Sequence, residues 1–113
     1  MFISHFMHLF SKYPDAQMGM IFHHEGEILT QVMAESTLNE TQLQFKDIFR
    51  ELGHTFPLIG DFQGGTFETE SNIWLICTLT TSLKIGLAVK KGSTLNQARF
   101  WLNELIDQIK HSL

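Results

Sequence analysis

The chain has 113 residues, with 8 Lys+Arg against 12 Asp+Glu and a formal net charge of -4. That length suits one domain, near the commonest size of about 100–150 residues, so residues 1–113 are read as a single unit. The acidic balance argues against the basic stripe of a nucleic-acid-binding domain and against a polybasic membrane-surface module.

Hydrophobic residues make up 43% and charged residues 18%, against a usual charged fraction of about 25%. A core can be built, but little charge remains for the surface, so some apolar surface is expected to be covered by a partner. The single cysteine, Cys77, lies in an apolar run. It excludes an intramolecular disulfide and a Cys-based zinc site, and reads as a small buried core residue in a reducing compartment. No apolar stretch approaches the 18 or so residues of a membrane span. Residues 1–10 are apolar, yet they carry His5 and His8, lack a basic leader and run into Lys12-Tyr13-Pro14-Asp15. This is the pattern of a helix in the fold rather than of a signal peptide, and the expected location is the cytoplasm.

In chain order, residues 2–12 place Phe2, Ile3, Phe6, Met7, Leu9 and Phe10 on a wide helical arc that stops before Pro14. Residues 17–22 and 27–33 flank His23-His24-Glu25-Gly26 and read as a β-hairpin. Met18, Met20 and Phe22 share one face, with Gly19 and Ile21 on the other. Both faces are apolar, which predicts a central strand covered on both sides. The cap-rich stretch Ser36-Thr37-Leu38-Asn39-Glu40-Thr41-Gln42 predicts a helix to about Thr55, with Leu38, Phe45, Ile48, Phe49, Leu52 and Phe56 apolar. Gly53 and Pro57 mark its end.

Three strands are predicted next, over 61–70, 73–79 and 83–90, joined by the short polar turns that antiparallel hairpins need. The first is the most polar and the expected sheet edge; an unpaired edge is a template for strand addition. Pairing with its own copy would remove that liability by symmetry. Phe62 and Phe67, with Phe45 or Phe49 of the middle helix, are the candidate apolar cover at such a seam. Thr94 and Gln97 form a capping-box pair for the last helix, with its stripe at Leu95, Ala98, Leu102, Leu105, Ile106, Ile109 and Leu113. Phe100 falls opposite that stripe and Trp101 at its flank. They are either a partner-binding aromatic pair or are covered by the first helix. The order is α-β-β-α-β-β-β-α, an α+β fold with a five-stranded antiparallel sheet between helices.

That order resembles the roadblock (dynein light-chain, LC7) family, MglB-like members included, over essentially the whole chain. The local matches are His24-Glu25-Gly26-Glu27-Ile28-Leu29, where the family has a charged Gly turn followed by aliphatics, then residues 62–76 and the C-terminal helix 95–113. The resemblance implies a three-layer roadblock-type domain with the middle helix on one sheet face and the terminal helices on the other. It also implies a dimer with itself or a paralogue through the third strand and the middle helix, giving a continuous ten-stranded sheet. The implied interface takes in Phe45, Phe49, Phe62, Gln63, Thr66, Phe67 and Glu68. The implied role is a non-enzymatic regulator or scaffold for a small Ras-like GTPase.

No chemistry competes strongly with that reading. His23 and His24 are adjacent, so on a strand they point to opposite faces and do not share an ion without a bend; a solvated turn is the simpler reading. His5 and His8 sit side by side on the first helix without a further ligand nearby in sequence. Gly60-Asp61-Phe62-Gln63-Gly64-Gly65 lacks a Lys-Ser/Thr end and leads into a strand, so it is no phosphate loop. Only Arg50 and Arg99 are present, and neither is assignable as an arginine finger. No nucleophile-elbow context surrounds any Ser/His/Asp set. No cofactor is expected. A profilin-like or PAS-like ligand-binding sensor is the alternative and would need an internal cavity lined by Phe and Met.

Overall fold

The structure, a computed structural model, describes residues 2–23, 27–34, 64–68 and 72–112. Along the described chain lie α1 (Ile3–Lys12), β1 (Ala16–His23), β2 (Ile28–Met33), β3 (Gly64–Glu68), β4 (Asn72–Thr78), β5 (Leu83–Lys90) and α2 (Leu95–Ser112). The predicted middle helix and its apolar stripe lie outside the described residues.

The strands form one sheet in the order β2-β1-β5-β4-β3, with every neighbouring pair antiparallel. β1 is interior, as its two apolar faces require, and β2 and β3 are the edges. The β4–β5 hairpin closes over Thr80, whose Oγ1 accepts the backbone N–H groups of Leu83 at 3.1 Å and Ser82 at 3.3 Å. This is the local side-chain turn that makes Thr a good loop residue.

Each sheet face carries its own core. One buries Ile21, Val32, Ile73, Leu75, Ile85, Leu87 and Val89 against Phe6 and Leu9 of α1 and Ala98, Leu102, Leu105, Ile106 and Ile109 of α2. The other buries Met18, Met20, Phe22, Trp74, Ile76 and Ala88. The predicted split of β1 therefore holds, with Met18, Met20 and Phe22 on one side and Ile21 on the other.

Alternation alone would put Ala16 beside Met18, yet Ala16 packs with the helices. The register explains it: Ala16 and Met18 of β1 face the consecutive residues Val89 and Ala88 of β5. This is a β-bulge, with Gln17 as the extra residue. Asn72, 1% exposed, donates its amide to the Gln17 side-chain oxygen and to the Val89 carbonyl at 3.2 Å. A buried amide at the bulge thus ties β4 to β1 and β5.

α1 docks close to the sheet because Gly19 lies beneath it. A Cβ at Gly19 would stand 2.1 and 2.2 Å from two carbons of the Phe6 ring, which is itself fully buried. The absent side chain is the socket for that ring. α1 ends where Tyr13 donates its backbone N–H to the Leu9 carbonyl at 2.8 Å, just before Pro14, which cannot continue a helix.

α2 follows a left-handed turn at Gly92, whose φ is 96°, and opens with Ala98 N–H donating to the Thr94 carbonyl at 3.0 Å. That places Thr94 at the N-cap position predicted for it. The two helices run antiparallel. His5 Nε2 lies 3.0 Å from Ser112 Oγ at one end, and Tyr13 stacks on Trp101 at the other, with ring centroids 6.0 Å apart and planes inclined by 16°.

Candidate functional site at the β3 edge

Among the described residues, β3 is the shortest strand and pairs with β4 alone. Its pairing sets Gly64 opposite Cys77, Gly65 opposite Ile76, Thr66 opposite Leu75, Phe67 opposite Trp74 and Glu68 opposite Ile73. Directly opposed residues share a face, so Gly64, Thr66 and Glu68 occupy the register positions of the face that carries the helices, while Gly65 occupies the other. Gly65, Thr66 and Glu68 are exposed. The predicted polar edge is therefore present, and it starts from two residues without side chains.

The other predicted interface residues, Phe45, Phe49, Phe62 and Gln63, lie outside the described residues, as do Asp61 and the start of the Gly-rich stretch. Of the aromatic pair on α2, Phe100 is 55% exposed, and Trp101 is half-buried beneath Tyr13. The two rings meet edge to face with centroids 5.3 Å apart. α1 covers one of them and leaves the other in solvent.

A cleft of about 230 Å³ runs alongside β3, lined by Gly65, Thr66, Leu75, Cys77, Arg99 and Asn103 among others. Its floor is apolar, and Arg99 and Asn103 stand on α2 with their side chains exposed. Cys77, expected as a small buried core residue, packs against the helix-side core from its margin. It is half-buried, because its β3 neighbour Gly64 has no side chain to cover it. Burial raises its thiol above the ordinary value, and the nearby Arg99 charge opposes the rise. Protonated at neutral pH, this thiol is a poor nucleophile.

A second groove, of about 200 Å³, separates α1 from α2 and is lined by His8, Leu9, Lys12, Trp101, Glu104 and Gln108 among others. Both volumes fall below the 300 Å³ or so at which small-molecule sites begin. Among the described residues there is no group of three or more His, Cys, Asp or Glu placed to hold a metal ion. His5 is engaged with Ser112, and the backbone N–H of His23 donates to the Glu27 carbonyl at 2.7 Å across the hairpin. His24 and Glu25 lie outside the described residues. No described helix is long and apolar enough to cross a membrane.

Among the described residues, Tyr13 is the most buried titratable group, at 3% exposure. Burial raises its phenol above the usual 10.0, and the nearby Asp15 carboxylate adds to the rise. A raised folded-state pKa means the folded protein holds its proton longer than the unfolded chain. The stability this contributes is complete below pH 10 and is lost as pH rises above it. Tyr13→Phe is therefore expected to flatten the alkaline limb of a stability–pH curve measured by urea unfolding from pH 8 to 11.

Arg99 is the residue that sequence reasoning undervalued. The signal was its position next to Ala98, at the border of the buried stripe, which brings a cation to the margin of the sheet.

No protein-family model matches the chain, and no curated protein matches it in sequence. Solved structures do match in shape. Myxococcus xanthus MglC superposes with a TM-score of 0.77 at 12% identity, covering 99% of this chain and 98% of its own. A roadblock/LC7 domain from Streptomyces avermitilis gives 0.68 at 10% identity, covering 93% and 94%. Myxococcus xanthus MglB gives 0.63 at 15% identity, covering 99% and 96%. At such identities the likeness establishes architecture, and the chain has the roadblock/LC7 fold.

Proposed function

We propose that this protein is a non-enzymatic, dimeric adaptor that regulates or scaffolds a small Ras-like GTPase. The observation that supports it best is the β3 edge on a roadblock/LC7 sheet: a short, polar, exposed strand that, among the described residues, pairs on one side only, with β4. An open edge invites pairing by main-chain hydrogen bonds, and a second copy satisfies both edges at once in a closed, isologous contact. The interface comprises Thr66, Phe67 and Glu68 on β3, together with Gln63, Phe62, Phe45 and Phe49. The GTPase docks on the composite surface that the two copies form, and Phe100 is a candidate contact on its flank. Any effect on hydrolysis arises from ordering the GTPase's own catalytic groups. The protein acts in the cytoplasm and binds neither nucleic acid nor membrane.

The dimer is tested with Thr66→Cys in a Cys77→Ala background. In a symmetric β3–β3 pairing centred on Thr66, the two introduced thiols lie directly opposite one another. Their Cβ atoms are then about 4.5–5.5 Å apart, within disulfide range. Mild oxidation is expected to give a covalent dimer from the Thr66→Cys variant and none from an equivalent cysteine at exposed Gln31 on the opposite edge. A sedimentation mass of a monomer, with no cross-link, would sink the dimer reading. The GTPase role is tested by capture from native lysate on the immobilised protein, run in parallel with GDP and a non-hydrolysable GTP analogue. Enrichment of a small GTPase in one nucleotide state is the expected result; retention of an assembly without nucleotide dependence would leave scaffolding alone.

A further inference from the structure

We propose that the β3 cleft is a half-site completed by a second copy of this chain, in which Arg99 of one protomer pairs with the partner's Glu68. The inference rests on the dimer reading above and says what specifies the pairing once the edges meet.

The register carries the argument. Gly64, Thr66 and Glu68 share the helix-bearing face of β3, with Gly64 beside Cys77. If β3 pairs antiparallel with its own copy about Thr66, Glu68 of each protomer stands opposite Gly64 of the other. The partner's Glu68 then lies one strand spacing, about 4.8 Å, beyond Gly64, on the same face as α2. Gly64 and Gly65 place no side chain between that position and the cleft. Arg99 and Asn103 form the α2 side of the same cleft, and Gly65, Thr66 and Cys77 form the sheet side. The Arg99 charge is close enough to act on the Cys77 thiol, and Cys77 is the immediate neighbour of Gly64. Arg99 and Glu68 are both exposed in the single chain. Their charges are opposite, and the dyad repeats the contact, so each dimer contains two such pairs.

Charge complementarity of this kind selects partners more than it adds affinity, because like charges brought together across a seam are disfavoured. The device makes the otherwise sequence-neutral backbone pairing of two edges specific to this chain.

The test uses charge reversal in the full-length protein, with dimer dissociation followed by sedimentation equilibrium. Arg99→Glu sets two acidic pairs across the seam, and Glu68→Arg sets two basic ones. Each variant is expected to weaken self-association by about tenfold, from two pairs each worth up to about 1 kcal/mol. Mixing the two variants places opposite charges at both contacts, so the mixture is expected to form a heterodimer of near wild-type affinity. Both positions are exposed, so far-UV circular dichroism and urea midpoints of the isolated variants should match the wild type. A wild-type dimer that both reversals leave unchanged, or that the mixture fails to restore, overturns the Arg99–Glu68 pairing and leaves the dimer standing. A wild-type chain that stays monomeric overturns both.

Discussion

Gly19→Ala is expected to destabilise the protein by at least about 1–3 kcal/mol, the usual cost of forcing an extra methyl into a packed core. The new Cβ would stand 2.1 Å from the nearest carbon of the Phe6 ring, inside any tolerable contact, so the ring or the helix has to move. Phe6 is fully buried and central to the cluster that α1 and α2 share with the sheet. Lifting it loosens α1 along its length, including the Tyr13–Trp101 stack at one end and the His5–Ser112 contact at the other. The cause is separable from a loss of strand quality, because Ala is no worse than Gly in a strand on backbone grounds. In a double-mutant cycle with Phe6→Leu, whose smaller side chain vacates part of the socket, the cost of Gly19→Ala should shrink by 1 kcal/mol or more, well outside additivity. Urea unfolding followed by far-UV circular dichroism gives all four values. A strictly additive cycle would mean that Gly19 is required for some reason other than the Phe6 ring.

That pair shows what a sequence does and does not disclose. Phe6 and Gly19 each stood out on their own element, one on the apolar arc of a helix and the other in an apolar strand. Nothing local says that the ring of one fills the void of the other, because the contact joins two elements across the fold. The same division runs through the rest of the structure. Period and turn chemistry placed the two described helices and all five strands, since each is specified by its own residues: Pro14 as a stop, Thr94 at an N-cap, Thr80 in a tight turn. The polar character of β3 correctly marked it as an edge. What failed was alternation at the bulges. Ala16 changed faces because Gln17 is inserted against β5. A second irregularity, between Ile21 and Phe22 against β2, lies where Leu29 is 52% exposed despite its apolar side chain. A bulge is a property of two strands in register, invisible to either alone.

The candidate site was half legible for the same reason. The edge character of β3, which carries Thr66 and Glu68, was legible because it is polar along its own length. The place of Arg99 in the β3 cleft was not, since it depends on sheet residues that another element brings near it. Cys77 looked like a core residue within its apolar run. Its partial exposure follows from Gly64 across the ladder.

Trp74→Ala is expected to cost about 3–5 kcal/mol, the range for truncating a large buried aromatic side chain, and so a large share of a typical stability of about 5–15 kcal/mol. Trp74 is fully buried within the single chain, among Met18, Met20, Phe22, Ile76 and Ala88 on the sheet face that neither α1 nor α2 covers. It also stands opposite Phe67 of the edge strand. Two different roles predict two different results. If that face is the chain's own second core, the loss belongs to folding of each subunit. It should then persist at protein concentrations where sedimentation finds only monomer. If instead the face is held closed by a partner copy, Trp74→Ala should weaken the dimer while the monomer's urea midpoint stays in place. Complete burial in the isolated chain favours the first outcome. The comparison thereby separates the residues that make the sheet a folded platform from Thr66, Glu68 and Arg99, which we propose recognise a second copy.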